Sequence, residues 1–221
     1  MKSTAILIPA RYASTRFPGK PLTLLDGVPM IKRVYDTCVA TGHDTYVLTD
    51  DWGIAQLFDD NACRLDSTDY QNGTERCAGA VRHIREYDQY INVQGDMPDV
   101  TVEMINRTER NLLMCDVVTA WTEMDPRLQA DPNSVKLVHN NVYAHWFGRG
   151  FTYGAQHLGI YGYSSKALRR YRDVPSQYEI EEGLEQLRWF QLHQKIAVTR
   201  VDFNGIEINT PEDAERWNDS R

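Results

Sequence analysis

Residues 8–22, Ile8-Pro9-Ala10-Arg11-Tyr12-Ala13-Ser14-Thr15-Arg16-Phe17-Pro18-Gly19-Lys20-Pro21-Leu22, gather Arg11, Arg16 and Lys20 with no intervening acid. Cations this close repel one another unless an anion is to sit among them. The stretch follows a short apolar run that reads as a strand. A basic, glycine-containing loop at the carboxyl edge of an open α/β sheet is a common place to hold phosphates. A P-loop is excluded, because GxxxxGK[ST] needs an earlier glycine and a Ser or Thr after the lysine, where Pro21 stands. Pro21 also predicts an extended backbone at Lys20 rather than a helix start. A solvated basic loop on a structural turn is the plainer alternative, against which stands the general tendency of loops to carry function.

Further candidates lie on other sheet edges. Asp96 follows the apolar run Tyr90-Ile91-Asn92-Val93 and then Gly95, which predicts a carboxylate at the same edge as the basic loop; a turn-capping aspartate is the alternative. Asn72-Gly73-Thr74 suits a helix start whose N–H groups remain open to an anion. His157 precedes a strand and reads equally well as a hydrogen-bonded core histidine. Glu185 and Arg188 are spaced to pair on a solvated helix face.

The elements that must position these groups follow from periodicity. Residues 3–9 read as a buried strand, and Ile31, Val34, Tyr35, Cys38 and Val39 recur at helical spacing until Gly42. A strand over 44–49, a helix over 52–58 and an extended piece over 63–66 follow; then Cys77, Ala80, Val81 and Ile84 make another helical stripe. This alternation argues for right-handed βαβ units and a mostly parallel sheet. Beyond it the chain becomes β-rich, with strands expected over 117–121, 135–140, 142–146 and 159–163, and a hairpin turn at Asn140-Asn141. Helices are expected over 164–171 and 181–192, a late strand over 196–202, and a terminal helix from Pro211. The expected fold is a single three-layer, Rossmann-like α/β domain over 1–221 with a β-rich excursion at about 117–163.

Composition restricts the partners. The chain has 221 residues, of which 42% are hydrophobic and 25% charged, as in an ordinary globular protein. A net charge of −7 argues against broad nucleic-acid binding, which needs a basic face, and makes the local cluster of Arg11, Arg16 and Lys20 more telling. Cys38, Cys63, Cys77 and Cys115 form no CxxC pair or metal-ligand spacing and read as small core residues of a reduced protein. The amino terminus lacks the apolar run of a signal peptide, and no stretch reaches membrane-spanning length, so a cytoplasmic location is expected.

The basic loop closely resembles the amino-terminal motif of the 3-deoxy-manno-octulosonate (Kdo) cytidylyltransferases. The resemblance recurs in family order at Asn72-Gly73-Thr74-Glu75-Arg76, Asn92-Val93-Gln94-Gly95-Asp96, His157-Leu158-Gly159-Ile160-Tyr161-Gly162-Tyr163, Leu184-Glu185-Gln186-Leu187-Arg188 and Asn209-Thr210-Pro211-Glu212-Asp213, spanning nearly the whole chain. It implies transfer of a cytidylyl group from CTP to the anomeric hydroxyl of Kdo, giving CMP-Kdo and pyrophosphate for lipopolysaccharide or capsule synthesis. In that reading Arg11, Arg16 and Lys20 contact the phosphates, Asp96 holds Mg²⁺, and Ala10, Gly73 and Thr74 edge the nucleoside. Gln94, Arg149, His157, Glu185 and Gln186 face the sugar. A homodimer using the β-rich region is expected of such a relative. Another sugar acid, such as a nonulosonic acid, and a nucleotide-binding relative without catalysis are the rival readings.

The chain departs from the family pattern at three places. Asn209 stands where the family's second metal-binding aspartate is expected, which removes a charge; Glu207, two residues earlier, is on the same side if the segment is extended and is a candidate substitute. Met97 replaces a usual glutamate after Asp96. The segment 150–156 is short and lacks the Pro-rich, Arg-bearing stretch that helps to enclose the sugar.

Overall fold

Strands buried on both faces alternate with helices that bury one stripe, and this alternation builds the sheet. The computed structural model describes residues 2–14, 17–171 and 174–221. In chain order the elements are β1 (Thr4–Ala10), β2 (Leu24–Leu25), β3 (Val28–Pro29), α1 (Met30–Val39), β4 (Asp44–Thr49), α2 (Trp52–Ala55), β5 (Cys63–Leu65), α3 (Gly73–Ala80) and β6 (Gln89–Val93). There follow α4 (Val102–Asn111), β7 (Val117–Thr122), β8 (Lys136–His139), β9 (Ala144–Gly148), β10 (Ala155–Ser164), α5 (Ser165–Arg170), α6 (Gln177–Glu182), α7 (Arg188–Gln191), β11 (Ala197–Arg200) and α8 (Pro211–Asp219).

The main sheet runs β11-β7-β10-β6-β1-β4-β5, with β10 antiparallel to both neighbours and the other pairs on this path parallel. Every residue of β1 is buried, as a central parallel strand requires. Its Ile6, Leu7 and Ile8 are fully buried, each worth about 1.5–3 kcal/mol of apolar transfer. Ile6 and Ile8 pack with Ile31, Val34 and Cys38 of α1 and Met104 and Ile105 of α4, while Ala5 and Leu7 join Cys77 and Ala78 of α3 and Ala167 and Leu168 of α5. The expected three layers are therefore present. β1 lies between β4 and β6, so the winding direction reverses there, and the crevice beyond the carboxyl ends of β1 and β6 is the natural binding place.

The excursion is an antiparallel β8–β9 hairpin whose turn is helped by Asn141 in the left-handed region, with β8 also pairing the start of β10. Three expectations need correction. The helix expected over 52–58 stops as α2 at Ala55. The helix expected over 181–192 does not form: α6 ends at Gly183, whose φ of 66° caps it, Leu184 is extended, and a 3₁₀ turn Glu185–Leu187 leads into α7. Cys63 and Cys115 are half-buried, unlike Cys38 and Cys77.

Candidate active site

A cleft of about 560 Å³ opens at the crevice, lined among others by Ala10, Arg11, Lys20, Gly73, Gln94, Asp96, Arg149, His157, Glu185, Gln186, Glu207 and Asn209. Apart from buried Thr74, the sequence candidates among the described residues thus converge, although they come from six separate stretches of chain. Arg16 lies outside the described residues.

On the basic side, β1 delivers Arg11 to an exposed position at its carboxyl end. The loop is closed by Gly19 N–H donating to the Tyr12 carbonyl at 3.0 Å and by Tyr12 N–H donating to Asp50 Oδ1 at 3.2 Å. Asp50 is in turn held at 2.8 Å by the buried guanidinium of Arg76. Contrary to the expectation of an extended Lys20, residues Lys20–Leu22 form a 3₁₀ turn. Pro21 falls in its first positions, where a missing N–H does no harm. The turn aims Lys20 Nζ at Asp96 Oδ2, 2.7 Å away, and at the Ile208 carbonyl, 3.1 Å away.

Asp96 is the centre of the acidic side. Its carbonyl accepts from Ile208 N–H at 3.0 Å, which lays the segment 207–209 along the cleft. Glu207 Oε2 accepts from Gln156 Nε2 at 3.3 Å. Burial, with a smaller contribution from the neighbouring charge of Asp96, pushes the Glu207 carboxyl up to about 7. Asn209 lines the same cleft, its N–H donating to Asp213 Oδ2 at 2.8 Å. Asp96, Glu207 and Asn209 together offer only oxygen as hard donors, with two carboxylates close enough to repel, a set that suits Mg²⁺. Among the described residues no group of three or more His, Cys, Asp or Glu could hold a metal, so a cation here would depend on substrate and water oxygens as well. Met97 is buried in the core beside α1 and α4 and does not face the cleft, so its substitution for glutamate bears on packing rather than on the site's charge.

The third group of residues surrounds Glu185. Its Oε2 accepts from Thr74 N–H at 3.0 Å and its Oε1 from Gln94 Nε2 at 3.2 Å, while burial raises its carboxyl. The α3 amino terminus is therefore not open to a substrate anion as the sequence suggested; the chain's own Glu185 occupies Thr74 N–H, and the Asn72 side chain caps Glu75 N–H. The break at Gly183 makes this possible by turning Glu185 inward. It also overturns the surface pair with Arg188, which is buried and clasped by Glu75 at 2.6 Å and Glu179 at 2.6 Å. His157 combines both of its readings. It lines the cleft, yet its Nε2 is 2.9 Å from Thr119 Oγ1, and burial, with a smaller contribution from Arg149, lowers it to about 3, so the ring is neutral at pH 7. Gln186 is buried at the cleft, and Arg149 donates to the Asn133 and Pro132 carbonyls.

Asn72, Arg76 and Gln156 line the cleft beyond the residues the sequence points to, and Tyr161, which the strand alternation places toward core or sugar, lines it too. Asn72 and Tyr161 stand inside recognisable motifs, and Gln156 directly precedes His157, so adjacency was the available signal. Nothing in the linear chain couples Arg76 to Asp50.

Known proteins resemble this chain over nearly its whole length. A family described as cytidylyltransferase matches residues 5–196. The mitochondrial 3-deoxy-manno-octulosonate cytidylyltransferase of Arabidopsis thaliana is 38% identical, over 95% of this chain and 80% of the relative. The 8-amino-3,8-dideoxy-manno-octulosonate cytidylyltransferase of Shewanella halifaxensis is 36% identical, over 96% of this chain and 95% of the relative. A solved structure of CMP:2-keto-3-deoxy-manno-octonic acid synthetase complexed with CTP superposes with a TM-score of 0.88 at 30% identity, covering 99% of this chain and 98% of the other.

Proposed function

The chain belongs to the cytidylyltransferase family, and on that premise we propose that it transfers the cytidylyl group of CTP to the anomeric hydroxyl of Kdo, releasing pyrophosphate. The observation that carries the reading is the convergence of Lys20, Asp96 and the 207–209 segment at the sheet's switch point, opposite Glu185, Gln186 and His157. The anomeric hydroxyl oxygen attacks the α-phosphorus and gives up its proton to solvent, the bond from α-phosphorus to the bridging oxygen breaks, and pyrophosphate leaves with that electron pair. Arg11 and Lys20 answer the phosphate charge, the guanidinium with directional paired bonds and the ammonium as a point charge. The Lys20–Asp96 ion pair keeps both groups in place before substrate arrives; a triphosphate then competes with Asp96 for the ammonium. Ala10 and Gly73 allow close approach of the nucleoside. Thr74 serves differently, fixing Glu185 through its N–H. Glu185, Gln94 and Gln186 supply polar atoms for sugar hydroxyls, and Arg149, which lines the cleft, supplies a cation for the sugar carboxylate.

Asp96, with Glu207 and Asn209, would hold Mg²⁺, which when bound offsets the charge of the phosphate and sugar carboxylate. Glu207→Gln is expected to raise the Mg²⁺ concentration for half-maximal turnover and to weaken Mn²⁺ binding measured by calorimetry; unchanged values in both would remove Glu207 from the site. A homodimer through the β8–β9 hairpin fits the same reading, since β9 pairs with no described strand but β8. Mass measurement in solution tests it. Cytoplasmic action in lipopolysaccharide or capsule synthesis is the setting this reading implies.

Pyrophosphate release measured with CTP, UTP, ATP and GTP against Kdo, its 8-amino analogue and a nonulosonic acid tests the proposal directly. CTP with Kdo is expected to give turnover. Absence of release from that pair defeats the reading, and release only with another acid reassigns the acceptor.

A further inference from the structure

We propose that Asp99, which lies outside the cleft lining, is a positioning residue for the transfer: its carboxylate holds residues 206–209 in register against Asp96. The N–H groups of Ile206 and Ile208 are two residues apart and point to the same edge of their segment. Ile208 N–H donates to the Asp96 carbonyl at 3.0 Å, and Ile206 N–H donates to Asp99 Oδ2 at 2.9 Å. A side-chain carboxylate thus takes the place that a backbone carbonyl would have in a strand ladder. The loop after β6 grips the late segment at both ends, with Glu207 between the two bonds and Asn209 just beyond them.

The other Asp99 oxygen is also engaged. Oδ1 accepts from Trp217 Nε1 at 2.9 Å and pairs with Arg221, so the same carboxylate ties α8 to the late segment. Its side chain is only 13% exposed. Gly205 passes so near that an added Cβ would stand 2.3 Å from the Asp99 Cβ. Donors converge on both oxygens, a demand that only a carboxylate meets; asparagine would turn an NH₂ toward one of them. Because Lys20 Nζ bonds both Asp96 and the Ile208 carbonyl, loosening Ile206 frees the segment that fixes Lys20, Glu207 and Asn209 relative to Asp96.

The inference rests on the proposed reading of the cleft, in which residues 207–209 border the reacting phosphate. Asp99→Asn and Asp99→Leu test it by steady-state kinetics with CTP and Kdo together with amide hydrogen exchange. Expected are a roughly tenfold or greater fall in kcat, since small misplacements at a reacting centre are costly, a much smaller change in KM for CTP, and faster exchange at Ile206 and Ile208. Folded variants that melt at lower temperature but keep wild-type kcat and wild-type exchange at these amides overturn it. Should neither variant fold, the unsubstituted protein decides: Ile206 N–H is expected to be protected comparably to Ile208 N–H, and rapid exchange at Ile206 overturns the proposal. Failure of the functional reading is distinguishable, because it shows as absent turnover in the unsubstituted protein while the exchange measurement is unaffected.

Discussion

Lys20 and Asp96 illustrate how single residues come to hold opposite charges at one point of the cleft. At 2.7 Å, with the lysine side chain 17% exposed, the ammonium can leave Asp96 for a phosphate oxygen with little movement. Lys20→Met is therefore expected to lower kcat by about 10²–10³-fold, the range for losing a single charge-stabilising donor, while the fold, followed by circular dichroism, persists. His157 makes a different kind of statement. Burial lowers its pKa to about 3, below the 6.5 of an ordinary histidine, so between these values the unfolded chain binds a proton that the folded chain does not. The sign follows: stability is complete above about pH 6.5 and declines as pH falls toward 3, by up to about 1.4 kcal/mol per pH unit from this residue. Urea unfolding across that window should be less pH-dependent in His157→Asn than in the parent, and parallel curves would contradict the assignment.

At the scale of elements, the break between α6 and α7 governs the Glu185 side of the cleft. Gly183 has φ 66°, and an added Cβ would meet nothing within 4 Å. The effect of Gly183→Ala is thus a backbone effect alone, about 1–2 kcal/mol for forcing a side chain into the left-handed region. The expected outcome is that loss in urea unfolding, together with reduced kcat/KM for the acceptor, because Glu185 lies two residues beyond the cap. Arg188 reinforces the same break from inside. Its guanidinium joins Glu75 of α3 to Glu179 of α6, and it sits 4.4 Å from the Tyr171 ring centroid, whose hydroxyl donates to the Glu185 carbonyl. Two elements that line the cleft are thereby held by one buried cation.

For the molecule as a whole, the cleft gathers residues from both ends of the chain, Ala10 to Asn209. Binding at such a place stabilises the folded state of the entire sheet, because the crevice does not exist in the unfolded chain. CTP at 100 times its Kd should add about 2.7 kcal/mol, which for a chain of this size raises Tm by about 5–10 °C. UTP, ATP and GTP at the same concentration are expected to give smaller shifts in a thermal melt. Equal shifts for all four nucleotides would count against recognition of the base.

The local pattern of residues was enough to place β1, β6 and the helices between them, and with them Arg11, Lys20 and Asp96, because strand ends in an open α/β sheet project to one edge whatever the remaining contacts are. It was also enough for the order of motifs along the chain. What it could not reveal were conformations and pairings fixed by distant partners. Ile180, Leu184 and Leu187 keep helical spacing across Gly183, so the inward pull of Glu75 and Glu179 on Arg188, and of Thr74 and Gln94 on Glu185, is what shows that the helix must stop. Asp50 with Arg76, and Asp99 with Ile206, are separated by 26 and 107 residues. Such contacts carry no periodic trace in the chain, and only tertiary packing brings their charges and donors within bonding distance.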